Sequence, residues 1–165
     1  ELWEVLWAAG QDDGLVAAGY RAIDSLRVEK GYRVWGSDLT AETTPYEAGL
    51  GFCVKLDKRG GFEGRDALVA AREAGLTRRL RAIVLDDPRA VVVGSEPVRI
   101  GDAVVGRVTS GGFGFTLGAS IAYAYLPIEA VPGTAVSIDL FGRWVDGTVL
   151  KEPLFDPDGA RVRGA

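Results

Sequence analysis

Residues 97–126 read PVRIGDAVVGRVTSGGFGFTLGASIAYAYL, and this stretch decides the fold. Its valine, isoleucine and aromatic residues favour β-strands, and the glycines between them favour turns. The pair Gly101-Asp102 is short enough to form a hairpin turn. The glycine-rich run Thr109–Gly118 predicts a wide structural turn before the next strand. We therefore expect consecutive antiparallel strands on both sides of these turns.

The same pattern continues in both directions along the chain. Gly142-Arg143 is a second pair short enough for a hairpin turn. Strands joined by such tight turns predict a small antiparallel barrel or sandwich. The predicted strands are Leu80–Leu85, Pro97–Ile100, Ala103–Thr109, Ser120–Leu126, Thr134–Phe141 and Arg143–Lys151.

The first part of the chain shows helical patterns instead. In Thr44-Pro45-Tyr46-Glu47, the threonine and the glutamate can form a capping box, and proline suits the first helical position. This pattern predicts a helix that begins at Thr44 and stops near Gly49 or Gly51. Other helical segments each end at a glycine: Trp3–Trp7 before Gly10, Tyr20–Lys30 before Gly31, and Arg65–Ala74 before Gly75.

The length of 165 residues suits one domain or two small ones. The change from mixed patterns to strands places a boundary near residues 75–79, which predicts domains of residues 1–78 and 79–165. The net charge of −4 leaves no basic surface for nucleic acid. No apolar run is long enough to span a bilayer, so no membrane partner is expected.

The counts of three amino acids restrict the catalytic and metal sites that this chain can form and indicate its origin. The chain has no histidine, which excludes histidine-based triads and histidine–metal sites. The single cysteine, Cys53, allows no internal disulfide, which fits a reducing compartment such as the cytoplasm. The apolar residues next to Cys53 favour its burial. Because methionine is absent and the first residues already fit the middle of a helix, we expect a piece of a longer protein rather than a processed product.

The densest polar and aromatic stretch is Asp24–Asp38. Arg27 lies beside the apolar positions of a predicted helix, from which a guanidinium can reach a carboxylate or a heteroaromatic ring. Trp35 could stack on a flat ligand. The alternative is purely structural, with Arg27 paired to Glu29 or Asp24 and Trp35 in the core.

Two other patterns resemble binding sites but lack the features that such sites need. Gly112-Phe113-Gly114 begins like a dinucleotide-binding loop, but the third glycine and the following helix are missing. Asp86-Asp87 and Asp156-Pro157-Asp158 lack the ligand number and spacing of a cation site. We therefore predict a structural turn and no metal.

Several short blocks stand out in order along the chain. They are SLRVEKG (25–31), WGSDLT (35–40), TPYEAGL (44–50), FEGRDAL (62–68), GRVTSG (106–111) and IAY (121–123). Together they resemble the glycine-cleavage T-protein (aminomethyltransferase) family. Three further stretches resemble the folate-binding region of dimethylglycine oxidase and sarcosine dehydrogenase proteins: EKGYR (29–33), DLFGR (139–143) and PLFDP (153–157).

The resemblance implies an α+β fold, with a partial α/β folate-binding region followed by a six-stranded antiparallel β-barrel. It also implies tetrahydrofolate as the cofactor, which receives a one-carbon unit from an aminomethyl group or an N-methylated glycine. Arg27 matches a folate-site arginine, and Trp35 stands where the family usually has a site-lining tyrosine. A tail arginine that closes over the site is matched by Arg161, with Arg163 as its rival.

The family's catalytic aspartate and its pterin-recognising acid lie upstream of the matched blocks. The resemblance therefore implies a fragment that is inactive alone and is completed by the N-terminal part of the same polypeptide, with FAD only in an upstream domain. Two alternatives stay open. One is a non-catalytic folate-binding or regulatory module of the same fold, and the other is an interaction domain whose folate site has decayed.

Overall fold

A computed structural model describes residues 1–164 as four α-helices and a six-stranded β-barrel. None of the helices in this range combines the length and the hydrophobicity needed to cross a membrane. The α-helices are α1 (Leu2–Gly10), α2 (Tyr20–Lys30), α3 (Arg65–Ala74) and α4 (Ala160–Arg163), with a short 3₁₀ turn at Gly51–Cys53. The strands are β1 (Arg78–Leu85), β2 (Pro97–Ile100), β3 (Ala103–Gly114), β4 (Ala119–Pro127), β5 (Ala135–Leu140) and β6 (Arg143–Leu150).

The six strands close into one antiparallel barrel in the order β1-β4-β3-β2-β5-β6. The predicted α+β fold with a six-stranded barrel is confirmed. The hairpin turn at Gly101-Asp102 is confirmed as well, because Ile100 pairs with Ala103 across it. Closure leaves no sheet edge exposed, which protects short strands from pairing with other chains.

Alternation along β1 and β4 divides the apolar side chains between two clusters. Ile83 and Ala122 belong to the barrel core, together with buried residues of the other strands. Leu80 and Ile121 belong to a second cluster on the outer face of the barrel, where Val28 of α2 joins them. Successive strand residues point to opposite faces, so one pair of strands fills the barrel and also holds α2 against it.

The C-terminal end of α2 is fixed by backbone and side-chain contacts. Gly31 adopts a left-handed conformation (φ 74°) and its amide donates to the carbonyl of Val28, as at many helix ends. Buried Glu29 accepts hydrogen bonds from the amides of Thr116 (2.7 Å) and Leu117 (3.0 Å), which lie in the β3–β4 turn. The last turn of α2 is therefore attached to the barrel.

The helix predicted from Thr44 exists only as a single turn. The capping box does form, because the Thr44 amide donates to Glu47 Oε2 (2.7 Å) and the Glu47 amide donates to Thr44 Oγ1 (3.2 Å). The turn ends at Gly49, whose φ of 75° is left-handed. The carbonyl of Glu47 accepts from the amide of Leu80 (2.8 Å), so this turn is hydrogen-bonded to the start of β1.

Two local predictions are wrong. The run from Thr109 is not a wide turn as far as Gly114, because β3 extends to Gly114 and the turn comprises residues 115–118. Glycine is needed here because neighbouring groups lie too close to leave room for a side chain. A β-carbon at Gly114 would lie 2.8 Å from Ile121 Cδ1. Cys53 is exposed rather than buried, because its apolar segment forms a 3₁₀ turn on the surface and not a packed strand.

Gly111→Ala is expected to lower the free energy of unfolding by about 1–3 kcal/mol, the usual effect of overpacking. A β-carbon at Gly111 would overlap the side chain of Val92 and lie 2.7 Å from the backbone oxygen of Ile121. Gly112→Ala is the matched control, since a β-carbon there meets nothing within 4 Å. Urea unfolding measures the free energy of unfolding of both variants. Equal unfolding midpoints would show that the contacts of Gly111 with Val92 and Ile121 do not require a glycine.

Candidate functional site

Arg27 is held by α2 at the junction between the helix and the barrel. Its side chain is only 14% exposed, and its Nη1 donates to Asp38 Oδ2 (3.1 Å) and to Ser110 Oγ (2.9 Å). Its Nε is buried and has no hydrogen-bond partner among residues 1–164. The structural alternative of a pair with Glu29 or Asp24 is wrong, because the ion-pair partner of Arg27 is Asp38.

Asp38 is the residue that the sequence analysis missed. It is 1% exposed, and its Oδ1 accepts hydrogen bonds from Thr109 Oγ1 (2.5 Å) and Ser110 Oγ (2.7 Å). Its Oδ2 accepts from the amide of Val34 (3.0 Å) and from Arg27 Nη1 (3.1 Å). A carboxylate with both oxygens satisfied in this way fixes the position of the guanidinium.

The loop that carries Asp38 is ordered by its own backbone. The amides of Asp38 and Leu39 donate to the carbonyl of Val34 (2.9 and 3.1 Å), and the Gly36 amide donates to the carbonyl of Leu39 (2.7 Å). Tyr125 Oη donates to the carbonyl of Asp38 (2.7 Å), which ties the loop to β4. Burial raises the pKa of Tyr125, so this phenol stays protonated as a donor.

Trp35 lies on the same loop, and its side chain is 73% exposed. The alternative that placed Trp35 in the core is therefore wrong. Its backbone forms a bridge with Leu39, which sets the indole at the surface. Trp35 does not line either of the cavities that Arg27 lines, so the structure does not bring these two side chains to one cavity.

Arg161 does share a cavity with Arg27. This cavity of about 340 Å³ lies between α2 and the C-terminal tail, and it is lined mainly by apolar side chains. Its lining residues include Ile23, Leu26 and Phe155, and the guanidinium of Arg161 lies 5.2 Å from the ring centre of Phe155.

The tail is anchored so that α4 reaches this cavity. Lys30 Nζ, at the end of α2, donates to the carbonyl (2.5 Å) and to Oδ2 (2.9 Å) of Asp156. The hydrogen bond from Lys30 lowers the pKa of Asp156. Asp156 Oδ1 in turn accepts from the amide of Ala160 (2.8 Å) at the start of α4. The rival arginine, Arg163, donates instead to the carbonyl of Asp158.

A second cavity, of about 400 Å³, lies on the other side of Arg27. Ser110 and Phe113 of β3 line it, together with Ser25 of α2, whose Oγ donates to the carbonyl of Phe113 (2.8 Å). The buried arginine therefore separates an apolar cavity from a more polar one. Such an arrangement suits a ligand that combines a flat ring with an anionic or hydrogen-bonding group.

No group of acidic or cysteine side chains that could hold a metal ion is found in the described range. Residues 78–156 match the model of the glycine cleavage T-protein C-terminal barrel domain, and residues 1–58 match that of the GCVT N-terminal domain. The chain belongs to the glycine cleavage T-protein family.

Relatives in this family are aminomethyltransferases and amine-oxidising enzymes. A 4-methylaminobutanoate oxidase (formaldehyde-forming) of Paenarthrobacter nicotinovorans is 42% identical over 161 residues, covering 98% of this chain and 20% of that protein. The mitochondrial dimethylglycine dehydrogenase of Rattus norvegicus is 36% identical, and the matched region covers 98% of this chain and 19% of that protein. An aminomethyltransferase of Symbiobacterium thermophilum is 42% identical, and the matched region covers 93% of this chain and 41% of that protein.

A solved structure shows the same family fold. Aminomethyltransferase T of the glycine cleavage system from Bartonella henselae superimposes with a TM-score of 0.78 and 29% identity, covering 85% of this chain and 40% of that one. The chain thus spans from about a fifth to about two fifths of the length of the relatives it matches.

Proposed function

We propose that this chain is the C-terminal half of a tetrahydrofolate-dependent aminomethyltransferase-like protein. In this proposal residues 1–78 form the last part of the folate-binding domain and residues 79–165 form the barrel domain with its tail. The upstream part of the same polypeptide supplies the acidic groups of the site. The relatives named aminomethyltransferase, and those named as oxidases or dehydrogenases of methylated amines, support this assignment.

The observation that carries the proposal is the fixed guanidinium of Arg27 between two cavities. One of its nitrogens is held by Asp38 and Ser110, while Nε is buried without a partner among residues 1–164. Arg27 lines both cavities, so its guanidinium is placed to donate to a ligand acceptor in either of them. Folate carries a flat heteroaromatic ring and carboxylates, and this combination fits the arginine and its apolar surroundings.

Each proposed site residue then has a distinct role. Arg27 orients the ligand, and Arg161 covers the apolar cavity from the tail. Trp35 is exposed on the adjoining loop outside both cavities, so its proposed role is to stack on a part of the ligand that extends beyond them. Tetrahydrofolate, when bound, supplies the nitrogen atoms that accept the one-carbon unit. The contribution of this half is binding and orientation, which convert an encounter of two reactants into a positioned reaction. Any FAD would belong to an upstream domain.

The function is tested in the whole protein that contains this chain. Sarcosine or dimethylglycine is the probe donor, and FAD of an upstream domain, reoxidised by O₂ or an added electron acceptor, would take up the two electrons of its oxidation. Semicarbazide is added to trap any formaldehyde released to solution. We expect 5,10-methylenetetrahydrofolate to form in the presence of the trap, because the one-carbon unit passes between partners held in one site. If all of the carbon from an oxidised donor ends in the trap, transfer is refuted; folate affinity retained in that case would indicate a non-catalytic folate-binding module.

A further inference from the structure

A third cavity, of about 490 Å³, is lined by neither Arg27 nor Ser110. It is formed by the segment after α2, the turn that ends at Gly49, the start of β1 and the chain after β6. Apolar residues line most of it, among them Leu50, Phe52 and Pro153. Its charged lining consists of Lys30, Arg33, Arg79 and Glu152.

Glu152 is already neutralised by Arg33. Arg33 Nη2 donates to Glu152 Oε2 (2.8 Å), and both side chains are largely buried. The other nitrogens of Arg33 are also engaged, since Nε donates to the carbonyl of Ala48 (3.0 Å) and Nη1 donates to the carbonyl of Gly31. Arg33 thus occupies one oxygen of Glu152, while the charges of Arg79 and Arg81 also act on this carboxylate, so three guanidinium groups share a single carboxylate.

Arg79 is the guanidinium of this cluster that has no direct ion pair of its own among residues 1–164, although the charge of Glu152 lies near it. No hydrogen bond or ion pair of its guanidinium occurs within residues 1–164, and its Nε is buried. Arg81, two residues further along β1, adds a second positive charge and donates only to the carbonyl of Ile128 (3.1 Å). Burial and, after it, the charge of Arg79 lower the pKa of Arg81, while the charge of Glu152 raises it.

The groups converge on one point beside Gly49. A β-carbon built at Gly49 would lie 3.1 Å from Arg33 Nη2, 3.4 Å from Arg79 Nη2 and 3.7 Å from Glu152 Oε1. The absence of a side chain at Gly49 leaves this point open to the cavity. A partly buried guanidinium beside such a space is stabilised strongly by an oxyanion, because the fork of N–H groups matches two oxygens of a carboxylate or phosphate.

We propose that this cavity binds a small oxyanion, a carboxylate or a phosphate, through the guanidinium of Arg79. The apolar lining next to Arg79 suits a carboxylate or phosphate attached to a short hydrocarbon chain. Lys30 and Tyr32 line both this cavity and the one that Arg27 shares with Arg161, so the two sites adjoin but use different arginines. The anion site does not depend on the folate proposal.

The test is calorimetric titration of the full chain with sodium succinate and, separately, with sodium phosphate at constant ionic strength. The variants are Arg79→Gln and Arg79→Lys, and the control is Arg59→Gln, since Arg59 is exposed in a turn and does not line the cavity. We expect saturable binding of at least one anion to the unmodified chain. Arg79→Gln should weaken that binding about tenfold or more, because it removes a charged donor, and Arg59→Gln should leave it unchanged.

The two anions also distinguish the source of the ligand. Preference for succinate indicates a carboxylate metabolite, and preference for phosphate indicates a phosphorylated one. If Arg79→Gln does not fold, Arg79→Lys serves in its place, because it keeps the charge but loses the planar fork and should still weaken binding. The proposal is overturned if neither anion binds the unmodified chain saturably, or if the folded Arg79 variant binds with the same affinity as the control.

Discussion

Asp38→Ala is expected to lower the free energy of unfolding by about 3–5 kcal/mol, the usual cost of breaking a buried ion pair by removing one partner. The substitution leaves the guanidinium of Arg27 largely buried with its counter-ion gone. It also removes the acceptor for the hydroxyls of Thr109 and Ser110 and for the amide of Val34. The loop would lose its side-chain hydrogen bonds to β3, and Arg27 of α2 would keep only Ser110 as a partner there.

Urea or thermal unfolding of the variant measures this effect. Asp24→Ala is the matched control on the same part of the chain, because Asp24 is half exposed and lies 3.7 Å from its exposed partner Arg21. Its effect should stay within about 0.5 kcal/mol. An Asp38→Ala protein as stable as the Asp24→Ala protein would show that the buried network does not hold the site together.

The barrel could be predicted because its signals are local. Valine and isoleucine clusters separated by glycine turns mark strands wherever they occur, and β2 was placed at its observed bounds, Pro97–Ile100. The same holds for α3, Arg65–Ala74, whose apolar face and final glycine are read within one segment. Closure of the strands into a barrel came from the family resemblance, because alternation alone also fits a sandwich.

The glycine-rich stretch shows where local signals mislead. Glycine is frequent in turns, but it is also required wherever two backbones or a backbone and a side chain come unusually close. Gly111 and Gly114 belong to the second case, since β-carbons there would collide with groups from Val92, Ile121 and Glu29. Those neighbours are distant in sequence, so the pattern itself gave no sign of them.

The centre of the site could be predicted only in part. Arg27 was recognised from its block, but its partners Asp38 and Ser110 are brought to it by the docking of a loop and a strand. Asp38 was present in the WGSDLT block without a role. A small aspartate in a loop is exposed in most proteins, and only the tertiary structure shows that this one is fully buried.

Arg27→Ala is expected to weaken tetrahydrofolate binding by about 1.5–3 kcal/mol, or roughly ten- to a hundredfold. The guanidinium is already fixed by Asp38 and Ser110, so its remaining donors need little reorganisation to meet a ligand. Because the variant also leaves Asp38 without its cation, binding must be measured below the unfolding transition. Arg27→Lys should recover part of the affinity by keeping the charge, but not all of it, because the planar fork is lost.

The most direct test of the folate site is a calorimetric titration of the whole protein with 5-formyltetrahydrofolate, a stable form of the cofactor. The unmodified protein, Arg27→Ala and the control Arg72→Ala are compared, since Arg72 is exposed on α3. The account predicts saturable binding by the unmodified protein and the control, and affinity lowered at least about tenfold in Arg27→Ala. Equal affinity in all three proteins, or no binding by the unmodified one, would contradict the assignment of Arg27 to a folate site.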